Sequence, residues 1–317
     1  MTLGVLDGAR FVCARASRVA IDEQALGRLA ADLLPAPRPE WDPQHHFFDG
    51  TARTVTYLFL VDALNFCFFP EPRWQVIVDG ERLQGYFALT SILTQAFERG
   101  RPADDFRRLS QIDETEVRDL LQGPSPIGTV PLLTRRAEIL REVGRVVVRS
   151  YGGDPSRLVA AAGGSAKRLV SELIRSFPSF RDEATYGAER IPFHKRAQIF
   201  ASDLAGSFAG RSFGAFADLP SLTAFADYKI PQILRACGAL RYSPELAARV
   251  DRKDWIPPGS PEEVEIRAST VWAVELLRQE LGRRGRPLLS IEIDWLLWNA
   301  AQRRDMAPHH CTLTTAY

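Results

Sequence analysis

Apolar residues recur along most of this chain with the spacing of an amphipathic α-helix. Leu26, Leu29 and Leu33, for example, fall on one face of a predicted helix over 17–34. The same spacing, or a capping or proline signal, predicts further helices from about Thr51 and from Asp113 onward, and over 132–148, 165–177, 192–208, 231–237, 244–250, 261–281 and 292–303. With 45% hydrophobic residues the chain can bury a large core. We therefore predict a mainly α, multi-helix globular fold, with residues 1–317 forming a single domain.

One segment departs from the helical pattern. Residues that favour β-strands flank Asp79-Gly80, a dipeptide typical of two-residue hairpin turns. We therefore predict a small β-hairpin near residues 74–83.

Charge balance and cysteine spacing limit the functional classes. Forty basic residues against 39 acidic ones leave a net charge of +1, which disfavours a duplex-binding surface and favours a small ligand, so we expect no direct nucleic acid binding. The four cysteines and five histidines have none of the spacings of a metal site, so we expect no metal and no cofactor. No apolar run is long enough to span a membrane, and we expect a cytoplasmic protein without membrane association.

An acid, a phenol and a lysine stand side by side at Asp227, Tyr228 and Lys229, shortly before Pro231. Proline suits the first turn of a helix and favours extended backbone before it. Asp227 is therefore predicted on a fixed loop, from which a carboxylate can be aimed at a substrate. The alternative is that Asp227 only caps the helix.

Further polar and aromatic segments occur along nearly the whole chain. In order they are His46-Phe47-Phe48-Asp49-Gly50, Asp62-Ala63-Leu64-Asn65-Phe66, Gly85-Tyr86-Phe87-Ala88-Leu89, Phe193-His194-Lys195-Arg196-Ala197-Gln198, Ala226-Asp227-Tyr228-Lys229, Glu263-Val264-Glu265-Ile266-Arg267 and Ile293-Asp294-Trp295-Leu296-Leu297-Trp298. Together they resemble the queuosine salvage family, the queuosine 5′-phosphate N-glycosylases. The resemblance implies a fold similar to that of helix-hairpin-helix DNA glycosylases. It also implies a small-molecule substrate, queuosine 5′-monophosphate, from which the 7-deazaguanine base queuine is released by hydrolysis of the N-glycosidic bond.

Cations near predicted helix starts are candidates for the phosphate site. His194 and Lys195 follow Pro192, where free backbone N–H groups and the helix dipole favour an anion. With the family substrate in view, Lys195 and Lys229 are predicted as charges that bind phosphate and ribose, and His194 and Tyr228 as hydrogen-bond donors. The alternative is that these cations pair with surface acids.

A second cluster precedes and occupies the helix that starts near Thr51. On that helix Asp62 is interpreted as structural, whereas the Asn65 amide can read a guanine-like edge. His46, Phe48 and Asp49 are predicted to contact the base, with Phe48 as a stacking platform, although aromatic residues in a helical protein often belong to the core. Asp49 and Asn65 can also supply hydrogen bonds that activate the departing base.

Near the C-terminus Asp294 is flanked by Trp295 and, one turn on, Trp298. An acid between tryptophans can hold the secondary ammonium or the cyclopentene diol of queuine, so all three are predicted to contact substrate. Glu263 and Arg267 have the i, i+4 spacing of a helical ion pair, and they are either that pair or an outer layer of the same site.

Cleavage at ribose C1′ passes through a transition state with oxocarbenium character. A carboxylate close to C1′ stabilises that charge and can position water, and we predict Asp227 for this catalytic role. Two other classes stay open. One is a DNA or RNA base glycosylase of similar fold, and the other is a helical interaction scaffold without catalysis.

Overall fold

Helices make up most of the chain in the computed structural model, which describes residues 3–41, 43–100, 102–122, 127–302 and 305–317. The α-helices are α1 (Val5–Cys13), α2 (Glu23–Leu33), α3 (Ala52–Leu64), α4 (Gly85–Glu98), α5 (Phe106–Leu109), α6 (Glu114–Gln122), α7 (Leu133–Tyr151), α8 (Ser156–Ala161), α9 (Ala166–Ser176), α10 (Lys195–Ser207), α11 (Lys229–Ala236), α12 (Pro244–Asp251), α13 (Pro261–Arg283) and α14 (Ser290–Gln302). The strands are β1 (Val19–Ile21), β2 (Gln75–Val78), β3 (Glu81–Gln84), β4 (Glu183–Tyr186), β5 (Glu189–Pro192) and β6 (Leu240–Tyr242). The mainly α prediction is confirmed. Within the described ranges, no helix has both the length and the apolar character needed to cross a membrane.

The predicted helix starts near Thr51 and Asp113 are confirmed, and the caps explain them. Thr51 Oγ1 accepts the N–H of Arg53 at 3.1 Å at the start of α3. At the start of α6, Asp113 Oδ1 accepts the N–H of Glu116 at 2.8 Å, and Glu116 Oε2 accepts the N–H of Asp113 at 3.1 Å. This reciprocal pair satisfies two backbone donors that the first helical turn leaves free.

Two predicted helix starts are wrong. The segment 17–34 begins with strand β1, and α2 starts only after Asp22. Pro192 ends strand β5, so α10 starts at Lys195 and not directly after the proline. In both places the pairing of a short strand occupies backbone groups that a helix would need. The predicted end of the last helix at Arg303 lies outside the described residues.

Three antiparallel strand pairs are present in the described chain. The predicted hairpin is confirmed as β2 and β3, which pair from Gln75 with Gln84 to Val78 with Glu81. Its turn residues Asp79 and Gly80 have φ of 51° and 83°, as a two-residue turn of this kind requires. The β4–β5 hairpin and the β1–β6 pair were not predicted. Strands β1 and β6 have three residues each, too few for an alternating pattern to stand out.

Two helices organise the packing around the site. Helix α13 packs against α1, α2, α11 and α14, and α10 packs against α3 and α9. In the apolar cluster around α3, the Phe59 ring contacts Phe177, Phe180 and Phe200 at centroid distances of 5.3, 5.8 and 5.5 Å. This packing fixes the C-terminal end of α3 against α10, and a cavity opens beside that contact.

Candidate active site

A cavity of about 490 Å³ lies where α3, α10, α11 and α14 converge with the start of α4. This volume is in the range of small-molecule sites. The structure brings most of the predicted site residues to its lining: His46, Asn65, Lys195, Asp227, Tyr228, Lys229, Asp294, Trp295 and Trp298.

Asp227 lies at the start of α11 and serves as its cap. Its Oδ1 accepts the backbone N–H groups of Lys229 at 2.8 Å and Ile230 at 2.9 Å. No hydrogen bond reaches Oδ2 from the described part of the chain, so one oxygen anchors the helix and the other is available to a ligand. Burial raises the pKa of Asp227, while the nearby Lys195 charge and the two backbone hydrogen bonds oppose that rise.

A buried ion-pair network holds the loop that carries Asp227. Arg267 Nε donates to the carbonyl of Ala226 at 3.0 Å, and its other nitrogens donate to both oxygens of Asp182 at 2.8 and 2.6 Å. Asp182 Oδ2 also accepts the N–H of Lys195 at 3.1 Å. Arg267 lies 3.5 Å from Glu263, so the predicted i, i+4 pair forms, and the same arginine also ties the Asp227 loop to the start of α10.

Lys195 is 4% exposed and lies among acidic side chains. Its Nζ donates to the carbonyl of Asn65, the residue that ends α3, at 2.9 Å. Burial lowers the pKa of Lys195 to about 8, although the charges of Asp227, Asp62 and Asp294 act in the opposite direction. The ammonium therefore compensates buried carboxylates from a fixed position.

Asp294 on α14 faces the same group of charges. Its Oδ1 accepts the N–H of Phe225 at 2.8 Å, which joins α14 to the loop before α11. Burial and the Asp227 charge raise the pKa of Asp294 well above its usual range. The charges of Asp227 and Asp294 repel each other, and a bound cation would relieve that repulsion.

Aromatic side chains around His46 form an aromatic slot in the cavity lining. The His46 ring lies 4.5 Å from the Trp41 ring, and its Nε2 is 3.2 Å from the hydroxyl of Tyr86. Trp298 packs edge-on against Tyr86 at 5.6 Å. Burial lowers the pKa of His46 to about 3, so its imidazole is neutral and the slot suits a flat, uncharged ring.

Lys229 and Arg73 add basic side chains to the same cavity lining. Lys229 Nζ donates to Gln232 Oε1 at 3.2 Å, and the Tyr228 ring lies 4.5 Å from the His309 ring. Burial, together with the charges of Lys229 and Arg73, lowers the pKa of His309 to about 4. An anionic group would find compensating charge here.

Comparison with known proteins identifies the family. A model of the queuosine salvage protein family matches residues 45–317. The chain belongs to that family. It is 46% identical to a queuosine 5′-phosphate N-glycosylase/hydrolase of Sphaerobacter thermophilus, over 99% of this chain and 98% of that protein. Proteins of the same name from Mus musculus and Dictyostelium discoideum are 34% and 32% identical, with 98% and 99% of this chain and 98% of each of those proteins covered.

In this queuosine salvage family member, Phe48 and Asp49 do not line the cavity. Phe48 is 49% exposed and packs edge-on against Phe208 at 5.5 Å. Asp49 Oδ1 accepts hydrogen bonds from the N–H and hydroxyl of Thr51 and from the hydroxyl of Thr54, at 2.8 to 2.9 Å. The carboxylate therefore organises the start of α3 and is not available to a ligand in the cavity.

His194 also lies away from the cavity lining. It precedes α10 with φ of 51°, and its N–H donates to the carbonyl of Asp182 at 3.1 Å. Burial lowers the pKa of its imidazole. Since α10 starts one residue later, the predicted first-turn position of His194 is wrong, and its buried side chain is not among the cavity residues.

Asp203 is a lining residue that the sequence reasoning missed. It lies on α10 with Lys195 and Ile199, which also line the cavity. The spacing i, i+4 and i+8 was the available signal, because it places all three on one helical face. Asp203 Oδ1 accepts the indole N–H of Trp41 at 3.3 Å, and Trp41 was missed as well.

Proposed function

We propose that this protein hydrolyses the N-glycosidic bond of queuosine 5′-monophosphate and releases queuine for salvage. The observation that carries the proposal is a single cavity lined by the Asp227 carboxylate, by basic side chains that include Lys229, and by the aromatic slot. Family membership and the shared name of its relatives supply the substrate. A nucleotide can place its phosphate near Lys229, its C1′ near Asp227 and its base between the aromatic rings.

In the proposed reaction the bond between C1′ and the base nitrogen breaks, and its electron pair goes to the base. The ionised Asp227 stabilises the positive charge that develops on the ribose. A water oxygen then bonds to C1′ with Asp227 accepting its hydrogen bond, one water proton ends on the base, and the products are queuine and ribose 5-phosphate. Burial raises the pKa of Asp227, and the Lys195 charge lowers it and so favours the ionised carboxylate that the reaction needs.

The base leaves without protonation at the purine N7 position, because queuine has carbon there. Hydrogen bonds elsewhere on the ring must therefore disperse the negative charge, and Asn65 is the predicted amide that still lines the cavity. The arm of queuine carries an ammonium, for which Asp294 offers a buried carboxylate beside Trp295 and Trp298.

We also propose a small-molecule nucleotide, rather than a nucleic acid, as the substrate, and a cytoplasmic location. The net charge of +1 supports the first, because nucleic acid surfaces attract strongly basic proteins. All four cysteines are free thiols, as is usual in a reducing compartment.

Mass spectrometry tests the function directly. The protein is incubated with queuosine 5′-monophosphate in H₂¹⁸O, and we expect free queuine and one ¹⁸O atom in the ribose 5-phosphate. Queuosine-containing tRNA and an abasic-site assay on DNA serve as parallel substrates. Base release from the nucleic acids but not from the nucleotide would favour a base glycosylase, and no release from any substrate would favour a scaffold.

A further inference from the structure

Asp203 is a buried carboxylate that lines the cavity and has unused hydrogen-bonding capacity. The residue is 5% exposed. Its Oδ1 accepts the Trp41 indole N–H at 3.3 Å, and its Oδ2 has no partner in the described part of the structure. A buried carboxylate oxygen without a donor is costly, so such a group in a ligand cavity indicates that a ligand supplies the donor.

No surrounding side chain donates a hydrogen bond to Asp203 Oδ2 in the described part of the structure. Asp62 is a fully buried acid near Asp203, and burial together with the Asp203 charge raises the pKa of Asp62. Lys195 attracts Asp203 electrostatically, but its ammonium is hydrogen-bonded to the carbonyl of Asn65. Trp41 has a single N–H, which is already donated to Asp203. The remaining acceptor sites of Asp203 are therefore open to a donor from a molecule in the cavity.

The substrate base has a matching pair of donors. A 7-deazaguanine ring keeps the pyrimidine edge of guanine, where a ring N–H and an exocyclic amino group point in the same direction. A carboxylate accepts two parallel N–H donors of this kind in a bidentate arrangement. The rings of Trp41, His46 and Tyr86 line the same cavity as Asp203, and the Trp41 indole contacts its carboxylate; this aromatic slot suits a flat ring better than a flexible charged arm.

We propose that Asp203 is a specificity-determining residue that accepts the ring N–H and the exocyclic amine of the 7-deazaguanine base, with Trp41 positioning its carboxylate. This inference rests on the proposed function and deepens it. It gives the base-reading role, predicted for Asp49, to a carboxylate that lies in the cavity. Asp294, which already accepts the N–H of Phe225, is left for the ammonium of the queuine arm.

The charge state of Asp203 agrees with this assignment. Burial raises its pKa to about 7, and only the Trp41 hydrogen bond and the Lys195 charge lower it. Asp62, Asp294 and Tyr57 also feel its charge. Two N–H donors from a bound base would stabilise the ionised form of Asp203. Substrate binding would therefore favour the charged carboxylate.

The test compares nucleotides whose bases differ in their hydrogen-bonding groups. Steady-state kcat/KM is measured for queuosine 5′-monophosphate, for its analogue without the exocyclic amine, and for 7-deazaguanosine 5′-monophosphate, which lacks the arm. We expect the wild-type protein to prefer the amine-bearing nucleotide by about 10- to 100-fold, the usual value of a hydrogen bond to a charged group. Asp203→Asn should reduce this preference to within about threefold of unity. Trp41→Phe, which removes the positioning donor but keeps an aromatic ring, should reduce it partly.

Ser202→Ala is the matched control, because Ser202 is a buried neighbour on α10 whose hydroxyl has no partner in the described structure. It should keep the wild-type preference. Thermal unfolding shows that each variant is folded.

Three results separate the possibilities. An unchanged preference for the amine in folded Asp203→Asn would overturn the assignment. A second result would also overturn it: Asp203→Asn keeps the preference for the exocyclic amine but no longer prefers queuosine 5′-monophosphate over 7-deazaguanosine 5′-monophosphate. That result would assign Asp203 to the ammonium of the arm. Absence of queuine release by the wild-type protein would instead contradict the proposed function itself.

Discussion

The ammonium of Lys195 donates a hydrogen bond to the main-chain oxygen of Asn65 at 2.9 Å. This contact joins the start of α10 to the end of α3, and it fixes a positive charge beside Asp227 and Asp294. Lys229, by contrast, lines the cavity near Arg73 and the neutral His309. We therefore expect Lys195 to act on the carboxylates near C1′, and Lys229 to contribute more to phosphate binding.

Asp227→Asn should fold normally and lose turnover by several orders of magnitude. The amide keeps an oxygen that can cap α11, as Oδ1 does now for Lys229 and Ile230. It removes the negative charge that stabilises the oxocarbenium transition state. Single-turnover queuine release measures the rate, and thermal unfolding measures stability.

Asp218→Asn is a matched control for that change. Asp218 is a partly exposed carboxylate that accepts the N–H of Ala166 at 2.6 Å at the start of α9, and it is not among the cavity residues. It should lose up to about 1 kcal/mol of stability and no turnover. Wild-type turnover in Asp227→Asn would assign the catalytic role to another carboxylate of the cavity.

The turnover number should fall as pH rises through about 8. Burial lowers the pKa of Lys195 from 10.5 to about 8, so above that pH the lysine loses its charge and Asp227 becomes harder to ionise. The buried His46 and His309 have pKa values of about 3 and 4 and stay neutral across this range. A kcat profile from pH 6 to 10 checks the expectation.

Lys195→Met is the informative variant for that profile. It should be much slower at pH 7 and should lack the decline near pH 8, because no titrating ammonium is left beside Asp227. An unaltered alkaline decline in this variant would assign the titration to another group.

Asp203→Asn should be more stable than the wild-type protein at pH 8. Folding raises the pKa of Asp203 from 3.8 to about 7, so between these values the folded state binds more protons than the unfolded state. Stability contributed by this group is therefore lost as pH rises from about 4 to 7. Because the amide carries no charge, the free energy of unfolding of Asp203→Asn should exceed that of the wild-type protein by on the order of a few kcal/mol at pH 8. The difference should shrink towards pH 4.

Urea unfolding of both proteins at pH 4, 6 and 8 measures this difference. A constant gap between the two proteins at every pH would mean that Asp203 does not titrate in this range.

Local signals were sufficient for much of the fold. Thr51, Asp113 and Asp79-Gly80 each predicted an element start or turn correctly, because capping and turn geometry depend on residues a few positions apart. The pair of β1 and β6 joins segments that lie far apart in the sequence, and nothing within either three-residue strand marks its partner. The resemblance to helix-hairpin-helix glycosylases stays a prediction.

Site residues could be predicted where polar and charged residues cluster in the sequence. They could not be predicted where the packing of helices determines which side chains reach the cavity. Asp227 and Lys229 stand in an unusual cluster, and both line the cavity. Asp49 stands in a similar cluster but accepts hydrogen bonds from Thr51 and Thr54 at the start of α3, because the same residue types serve local turns and ligand contacts. Asp203 lies within an otherwise ordinary helix, and only the packing of α10 directs it into the cavity.

Lys229→Ala should narrow the difference in kcat/KM between queuosine 5′-monophosphate and the nucleoside queuosine by about 1.5 to 3 kcal/mol, as expected for one charged hydrogen bond. The change should act mainly on the nucleotide, since the nucleoside has no phosphate. Lys195→Ala should weaken both substrates, because that cation is placed among the carboxylates. Lys167→Ala, at the start of α9 and not among the cavity residues, provides the control. Equal losses for both substrates in Lys229→Ala would place the phosphate elsewhere.

Removal of metal ions should leave the rate of queuine release unchanged. Glycosidic cleavage assisted by a carboxylate requires water, a positioned negative charge and a bound base, and Asp227 with the aromatic slot supplies the last two. Among the described residues no group of three or more His, Cys, Asp or Glu side chains is arranged to hold a metal ion. His45 and His46 are adjacent in the sequence, but His46 already faces Tyr57 and Tyr86.

The protein is dialysed against a chelator, assayed, and assayed again after addition of zinc or magnesium. Loss of activity on dialysis and recovery with either ion would contradict the mechanism and require a metal-activated water in place of one positioned by Asp227.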